Sequence, residues 1–277
     1  MNLGYRYNYT KRLFYFLVIT FVCLVLAGLV AGILLNRTGA DAARMLRLAT
    51  IAQDLIAFVL PAMATSVMVS ALPATMLGID RPMRISQLLL AVAVMIASIP
   101  AMNVIIEWNA HISLPRWCAP VEEWMRNAEN RAAESVALML SGSGLGVTVV
   151  SLLIVGVLAG FSEELFFRGT LQRLIASGPL GIHTSIWLTA VIFSIFHFQF
   201  FGFFPRVLLG AWFGYLFYWS GSLWLAVIVH AFNNAIYVLS YKYPVAAIDS
   251  IGVGDYALCI GSVIVTAVLI SRMARRR

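Results

Sequence analysis

Charged residues are scarce in this chain. Only 11% of its 277 residues are Asp, Glu, Lys or Arg, whereas soluble globular proteins carry roughly 25%. Hydrophobic residues reach 61%, which is more apolar surface than a water-soluble fold of this length can hide. The composition therefore excludes an ordinary soluble protein and predicts one embedded in a lipid bilayer.

Cysteine is also scarce, and internal repeats are absent. Cys23, Cys118 and Cys259 are far apart and form no CxxC pair, so we predict neither a disulfide framework nor thiol chemistry. The lack of repeats argues mildly against a transporter built from two related halves.

Long apolar runs make up most of the sequence. A helix needs about 20 apolar residues to cross a bilayer, and the runs predict an all-α polytopic bundle of about eight spans. The first run is longer than the hydrophobic part of a signal peptide, so we interpret it as a retained span. The predicted spans are residues 13–35, 51–72, 87–106, 146–176, 182–199, 205–219, 222–240 and 253–271.

The segment between spans three and four differs from the spans. Residues 107–140 contain eight charged residues, interleaved with Trp108, Trp117 and Trp124. This composition is typical of amphipathic helices that lie at the membrane surface.

Lys and Arg are distributed unevenly between the two sides. With a cytoplasmic N-terminus, the cytoplasmic pieces carry 11 of them, Arg168 included, and the opposite side carries 8. Cytoplasmic loops are the richer in Lys and Arg, so we predict both termini inside, in a bacterial inner (plasma) membrane. The net charge of +7 predicts contact with lipid and no nucleic-acid binding, because the cations lie at chain ends and between spans.

Two adjacent acids lie inside the fourth apolar run, where ionisable groups are costly. Glu164 and Arg168 are four residues apart on a helix, in the favourable order for an ion pair. Glu163 points about 100° away and lacks that partner. We therefore predict a structural pair and a free Glu163 carboxylate that acts as a general base. The alternative, that both acids only neutralise arginines and hold helices together, stays open.

Three later polar residues, His197, His230 and Asn234, also lie in apolar runs. Helix rise places Glu163 and His197 both about 25 Å from the turn at residues 178–181. His230 lies about 12 Å into its own span, near the same level, and shares a helix face with Asn234. We therefore expect these side chains to form one layer.

This set of residues can perform two kinds of chemistry. A carboxylate beside an imidazole can polarise water to attack a peptide carbonyl, and a second imidazole with an amide can stabilise the oxyanion. Glu163, His197 and His230 can instead bind a divalent metal such as zinc, with an open position for water. The chain has no HExxH motif, so no cofactor is assigned and zinc stays an open alternative.

Two further polar residues received weaker interpretations. Asp54, near the start of the second span, is interpreted as an interfacial residue or a partner of Arg47, with a functional role as the weaker alternative. Arg206 either anchors at the headgroups or lines a substrate entrance.

The polar residues of the apolar runs form three motifs: EExxxR from Glu163 to Arg168, FxxxH from Phe193 to His197, and HxxxN from His230 to Asn234. In this order, they resemble the motifs of the CPBP family, which includes type II CAAX prenyl endopeptidases and bacterial bacteriocin-immunity-like proteins.

The resemblance, over residues 145–240, implies a role for each motif residue. It implies that Glu163 activates water, that Glu164 and Arg168 support it, and that His197 lies beside it. It places His230 and Asn234 at the oxyanion. Members of the family are often called metalloproteases, and a metal-free glutamate mechanism has also been argued for them.

The chain is thus predicted to be an intramembrane endopeptidase of membrane-associated proteins or peptides. We divide it into residues 1–140 with three spans and the interfacial segment, 141–245 as the catalytic core, and 246–277 with the last span and a basic tail. A proton-coupled transporter or channel and a non-catalytic immunity or scaffold protein are the alternatives. The substrate and the oligomeric state are not predicted.

Overall fold

The computed structural model describes residues 3–37, 41–243 and 254–275. These residues form helices and connecting turns without a β-strand, and seven of the helices are long and apolar enough to cross a membrane. The prediction of a polytopic helical bundle is confirmed. The main helices are α1 (Tyr9–Leu35), α2 (Ala42–Val69), α3 (Ile85–Ala110), α4 (Ala119–Met139), α5 (Leu145–Ala176), α6 (Gly181–Phe196), α7 (Phe203–Ser220), α8 (Leu223–Lys242) and α9 (Tyr256–Ala274).

Several boundaries differ from the prediction. Helix α2 begins well before residue 51, because the Asp41 side chain caps it by accepting a hydrogen bond from the Arg44 N–H. The amphipathic segment begins later than residue 107, because α3 continues to Ala110. Part of the predicted C-terminal unit, residues 246–253 and 276–277, lies outside the described residues.

One end of the bundle brings together the N-terminus, the α5–α6 turn and the start of α8. The Tyr5 hydroxyl donates to the Arg173 carbonyl at 3.4 Å. The Leu223 N–H donates to the Gly78 carbonyl at 2.9 Å. We call this end the N-terminal face.

At the opposite end, α4 packs on the turn between α6 and α7. The rings of Trp124 and Phe200 lie 5.2 Å apart, and the Arg126 guanidinium lies 4.6 Å from the ring centre of Phe201. We call this end the α4 face. Helix α6 runs from the N-terminal face to the α4 face with only 16 residues, so the described residues make the eight passes that the sequence predicted.

Helices α2 and α5 contain π-helical turns, which widen the backbone. The turns cover Asp54–Val59 in α2, and Leu152–Leu158 and Leu165–Gln172 in α5. The last two flank the α-helical turn Ala159–Glu164. Single π turns inside α-helices are frequent at functional sites, and here they bracket the paired glutamates.

The sequence contains three GxxxG pairs, Gly28/Gly32, Gly156/Gly160 and Gly210/Gly214, and the last two bring helices into close contact. A Cβ atom on Gly160 would lie 3.1 Å from the Ala231 nitrogen on α8, and one on Gly210 would lie 3.2 Å from the Ala190 Cα on α6. Gly28 and Gly32 on α1 face nothing within 4 Å. Small residues thus let α8 approach α5 immediately beside His230.

Candidate active site

Glu164 lies inside the bundle and has two partners. Its Oε1 atom accepts a hydrogen bond from Arg168 Nη1 at 2.7 Å and lies 2.8 Å from His230 Nδ1. The side chains of Glu164 and Arg168 are both 0% exposed. The predicted ion pair is present, and it persists although Arg168 lies in a π turn. The bond to His230 joins α5 to α8, which spacing along the sequence did not predict.

Arg168 extends this network to two further helices. Its Nη2 atom donates to the Gly210 carbonyl on α7 at 2.7 Å. Its guanidinium lies 4.6 Å from the ring centre of Phe193 on α6. Because Arg168 is buried in the bundle, counting it among the cytoplasmic cations was wrong, and that count falls from 11 to 10.

His230 lies between the two glutamates. A carboxylate paired with Arg168 accepts hydrogen bonds, so we assign the His230 proton to Nδ1, where it is donated to Glu164. The other ring nitrogen, Nε2, lies 3.7 Å from Glu163 Oε2. The imidazole stacks on the Phe213 ring at 4.6 Å between centroids, which fixes its plane. In the neutral ring, the Nε2 lone pair therefore faces Glu163.

Glu163 faces a cavity of about 370 Å³ that lies between α2, α4 and α5. Its side chain is 14% exposed, in contrast with the fully buried Glu164. Helix α4 forms part of the wall through Ala132, Ser135, Val136 and Met139. The free carboxylate predicted from helical geometry is thus the one that reaches an open space.

His197 lines the same cavity as Glu163. It follows the last residue of α6, and its Nδ1 atom lies 2.9 Å from the Phe193 carbonyl oxygen. A carbonyl only accepts, so we assign the proton to Nδ1 and leave Nε2 as an acceptor. The structure thus brings Glu163, His197 and His230 together from three helices.

Asn234 lies on α8 but does not line the cavity. Its Nδ2 atom donates to the Val155 carbonyl in the first π turn of α5 at 3.0 Å, and its Oδ1 accepts from Asn233 at 3.4 Å. The side chain therefore holds α8 against α5. The oxyanion role of Asn234 stays a prediction.

The sequence interpretation missed the position of Asp54. Asp54 is 4% exposed and lines the cavity with Glu163. Arg47 does not bind it, because the Arg47 side chain donates to the carbonyls of Met139 and Ser141 at 2.9 and 2.8 Å. The interfacial or Arg47-paired interpretation of Asp54 was wrong. An acid inside an apolar run was the available signal, but only the tertiary fold places it against Glu163.

Arg206 is hydrogen-bonded to a residue that lines the cavity. It donates to the Gln199 backbone carbonyl at 3.0 Å and to its side-chain oxygen at 2.9 Å, and Gln199 lines the cavity. Arg206 itself is not part of the lining. Its position therefore indicates a structural contribution to the wall.

The donor atoms of the site do not form a ready metal centre. Within the described ranges, no group of three or more His, Cys, Asp or Glu side chains is arranged to hold a metal ion. The contacts of the two imidazoles do not prevent metal binding, because they use Nδ1 of His230 and of His197 and leave Nε2 available, as is usual for histidines that bind a metal. If a metal were bound, Glu163, His197 and His230 would hold it and it would activate the water, and metal removal tests this alternative.

The buried Glu164 pair, the cavity-facing Glu163 and the two imidazoles all lie in one segment of the chain. Residues 145–236 match the type II CAAX prenyl endopeptidase Rce1-like family. This match contains all three motifs and confirms the resemblance that they predicted. Comparisons with curated proteins and with solved structures found no match.

The Rce1-like match fits the architecture around the site. It supports a CAAX-protease-type hydrolase, and the seven long apolar helices indicate an integral multi-pass membrane protein. The residues before 145, which form α1 to α4, lie outside the matched segment. Yet α2 and α4 supply one side of the cavity. The cavity is therefore lined both by residues of the matched segment and by residues that precede it.

Proposed function

We propose that this chain is an intramembrane endopeptidase in which Glu163 activates the water that cleaves the peptide bond. The observation that carries this proposal is the difference between two neighbouring carboxylates. Glu164 is fully buried and bound to Arg168 and His230, whereas Glu163 faces a cavity and, among the described residues, lies within ion-pair distance only of His230 Nε2. One acid is fixed as structure, and its neighbour is available to a water molecule.

The proton path follows from these contacts. Glu163 takes a proton from water while the oxygen bonds to the peptide carbonyl carbon, giving a tetrahedral intermediate. Glu163 then returns that proton to the leaving amine as the carbon–nitrogen bond breaks. While Glu163 holds the proton, its Oε2–H can donate to the His230 Nε2 lone pair when the present 3.7 Å separation closes slightly. His197 Nε2 accepts a hydrogen bond from the second O–H of the water and so orients it.

The oxyanion role inferred from the resemblance for His230 and Asn234 is a second assignment within this proposal. It requires a proton on His230 Nε2, the same edge of the ring that faces Glu163. It also requires the free N–H of Asn234 to turn towards the substrate, since its Nδ2 already donates to Val155. The present contacts favour the role of His230 as a partner of Glu163.

The surroundings of the site support a substrate that is associated with the membrane. The cavity lies within the bundle, and the surface-lying helix α4 closes one side of it. A peptide anchored in the bilayer or at its surface can reach this level, whereas a folded soluble protein cannot. We therefore propose membrane-associated proteins or peptides as substrates, with a bacterial inner membrane as the location.

The proposal is tested by replacing Glu163 with its isosteric amide. The full-length protein, reconstituted in liposomes, is incubated with a library of membrane-anchored peptides, and new termini are identified by mass spectrometry. We expect Glu163→Gln to lower the cleavage rate by at least about 100-fold, the usual contribution of a general base, while the protein still folds. Glu134→Gln is the matched control, because Glu134 is exposed on α4; it should cleave normally.

The alternatives give different results in the same experiment. A scaffold protein would cleave none of the peptides in either form. A proton-coupled transporter would show proton flux and no new termini. Cleavage by Glu163→Gln at the wild-type rate would reject Glu163 as the base.

A further inference from the structure

Asp54 is a buried acid, and one of its carboxyl oxygens has no hydrogen-bond partner among the described residues. Its Oδ2 atom is fully buried and receives no hydrogen bond from any described residue, and the residue as a whole is 4% exposed. Leaving a buried charged oxygen unsatisfied is costly. An acid that is kept in such a place needs a donor from outside the chain, or a reason to stay neutral.

The cavity in front of Asp54 is the one that contains Glu163. Both carboxylates line it, and they are close enough for the charge of one to act on the other. None of the described residues that line it is a Lys or an Arg. Two other arginines are engaged elsewhere, Arg47 with the carbonyls of Met139 and Ser141 and Arg206 with Gln199. The described lining of the cavity therefore contains two carboxyl groups and no Lys or Arg to pair with them.

The backbone presents Asp54 to this space in a distinctive way. Asp54 is the first residue of the π turn in α2, and that turn packs on the segment of α5 that carries Glu163. The π turns of α5 flank Glu163 on both sides. All three widened turns thus contribute to the lining of the same cavity, and π turns inside α-helices are frequent at functional sites.

Given the proposed peptidase function, on which this inference rests, the geometry points to Asp54 as a specificity residue that binds a Lys or Arg side chain of the substrate beside the scissile bond. A cationic side chain supplies the missing donor to Oδ2 and neutralises the second carboxylate of the cavity. An acidic side chain at the same position is repelled by both Asp54 and Glu163. A cavity of about 370 Å³ has room for one such side chain and the adjoining backbone.

The test uses the reconstituted full-length protein and a set of membrane-anchored peptides. The set carries Lys, Arg, glutamine, norleucine or Glu in turn at each position flanking the cleaved bond. For wild type, we expect Lys and Arg at one flanking position to raise the cleavage rate about 10- to 100-fold over norleucine, the usual effect of a hydrogen bond to a charged group. Glutamic acid at that position should give the slowest cleavage.

Two variants separate recognition from other roles. Asp54→Asn keeps the shape of the side chain and should abolish the preference, mainly by slowing the Lys and Arg peptides, with norleucine cleavage little changed. Asp41→Asn removes one negative charge from the same helix away from the cavity and keeps the helix cap; it should retain the preference. Thermal unfolding of each variant shows that it is folded.

Each other result rejects the inference in a recognisable way. Equal cleavage of Lys and norleucine peptides by wild type means that no cation is selected. Equal loss on all peptides in Asp54→Asn assigns Asp54 to folding or to the reaction itself. A failure of the proposed function looks different, because wild type would then cleave no peptide of any composition.

Discussion

At the scale of single residues, the two glutamates differ in what surrounds them more than in where they lie. Glu164 is held by Arg168 and His230 in a place without solvent, so its loss leaves the Arg168 charge buried and uncompensated. Glu163, one residue earlier, faces the cavity. The period of the helix predicted this separation, because neighbours on a helix point about 100° apart.

Replacing Glu164 with alanine should therefore damage the fold as well as the activity. Breaking a buried ion pair costs about 3–5 kcal/mol, so we expect Glu164→Ala to lower the unfolding temperature clearly and to reduce accumulation in membranes. The measurement is thermal unfolding of the purified protein in detergent.

Glu122→Ala is the matched control for this prediction. Glu122 and Arg126 also form a pair four residues apart at 2.7 Å, but on the exposed helix α4. The Arg126 side chain and the Leu114 N–H hold the pKa of Glu122 below its usual value, yet water replaces these contacts readily. Its removal should leave the unfolding temperature nearly unchanged. If both variants unfolded at the same temperature, the structural role of Glu164 would be wrong.

Other residue contacts could not be predicted from the sequence. The bond between Glu164 and His230 joins residues 66 positions apart, and no local pattern encodes such a distance. The burial of Asp54 likewise depends on where α4 and α5 pack. The sequence indicated which residue types were unusual in a membrane, and the fold decides which of them meet.

At the scale of helices, hydropathy predicted the spans better than their ends. Helix α2 starts earlier than predicted, after the cap at Asp41, and α3 ends later than predicted, at Ala110. Both differences arise because helix ends depend on local hydrogen bonds, which the pattern of apolar residues does not indicate. The π turns of α2 and α5 were not predicted either. Nothing in the period of apolar residues distinguished these turns from an α-helix.

The contact between α5 and α8 gives a prediction at this scale. Gly160 leaves little room for a side chain against Ala231, the residue that directly follows His230 on α8. Gly160→Val should push α8 away, destabilise the protein by about 1–3 kcal/mol through overpacking, and lower activity by displacing His230. Gly28→Val, on the open side of α1, should change neither the unfolding temperature nor the cleavage rate. Equal behaviour of the two valine variants would contradict this account of the helix contact.

At the scale of the whole molecule, contacts between distant segments define the two faces without reference to charge. The N-terminus and the α5–α6 turn lie at one face, and α4 and the α6–α7 turn lie at the other. The catalytic layer is nearer the α4 face, because His197 directly follows α6 and α4 lines the cavity. The Lys and Arg bias, now 10 against 8, predicts that the N-terminal face is cytoplasmic.

Single cysteines test this orientation. Leu180, 46% exposed in the α5–α6 turn, and Trp117, 83% exposed before α4, are replaced on a background in which Cys23, Cys118 and Cys259 are alanine. A membrane-impermeant thiol reagent applied to intact cells should label Trp117→Cys and spare Leu180→Cys. The reverse pattern would invert the topology and place the catalytic layer towards the cytoplasm.

We propose as the central claim that Glu163 activates the water that cleaves the peptide bond, without the help of a metal ion. The direct measurement is cleavage in ¹⁸O-labelled water by protein that has been exhaustively chelated and checked by elemental analysis. We predict that metal-free wild type cleaves at its original rate and places one ¹⁸O atom in each new carboxyl group. Loss of cleavage on chelation, with recovery on adding zinc, would contradict the account and assign the water to a metal bound by Glu163, His197 and His230.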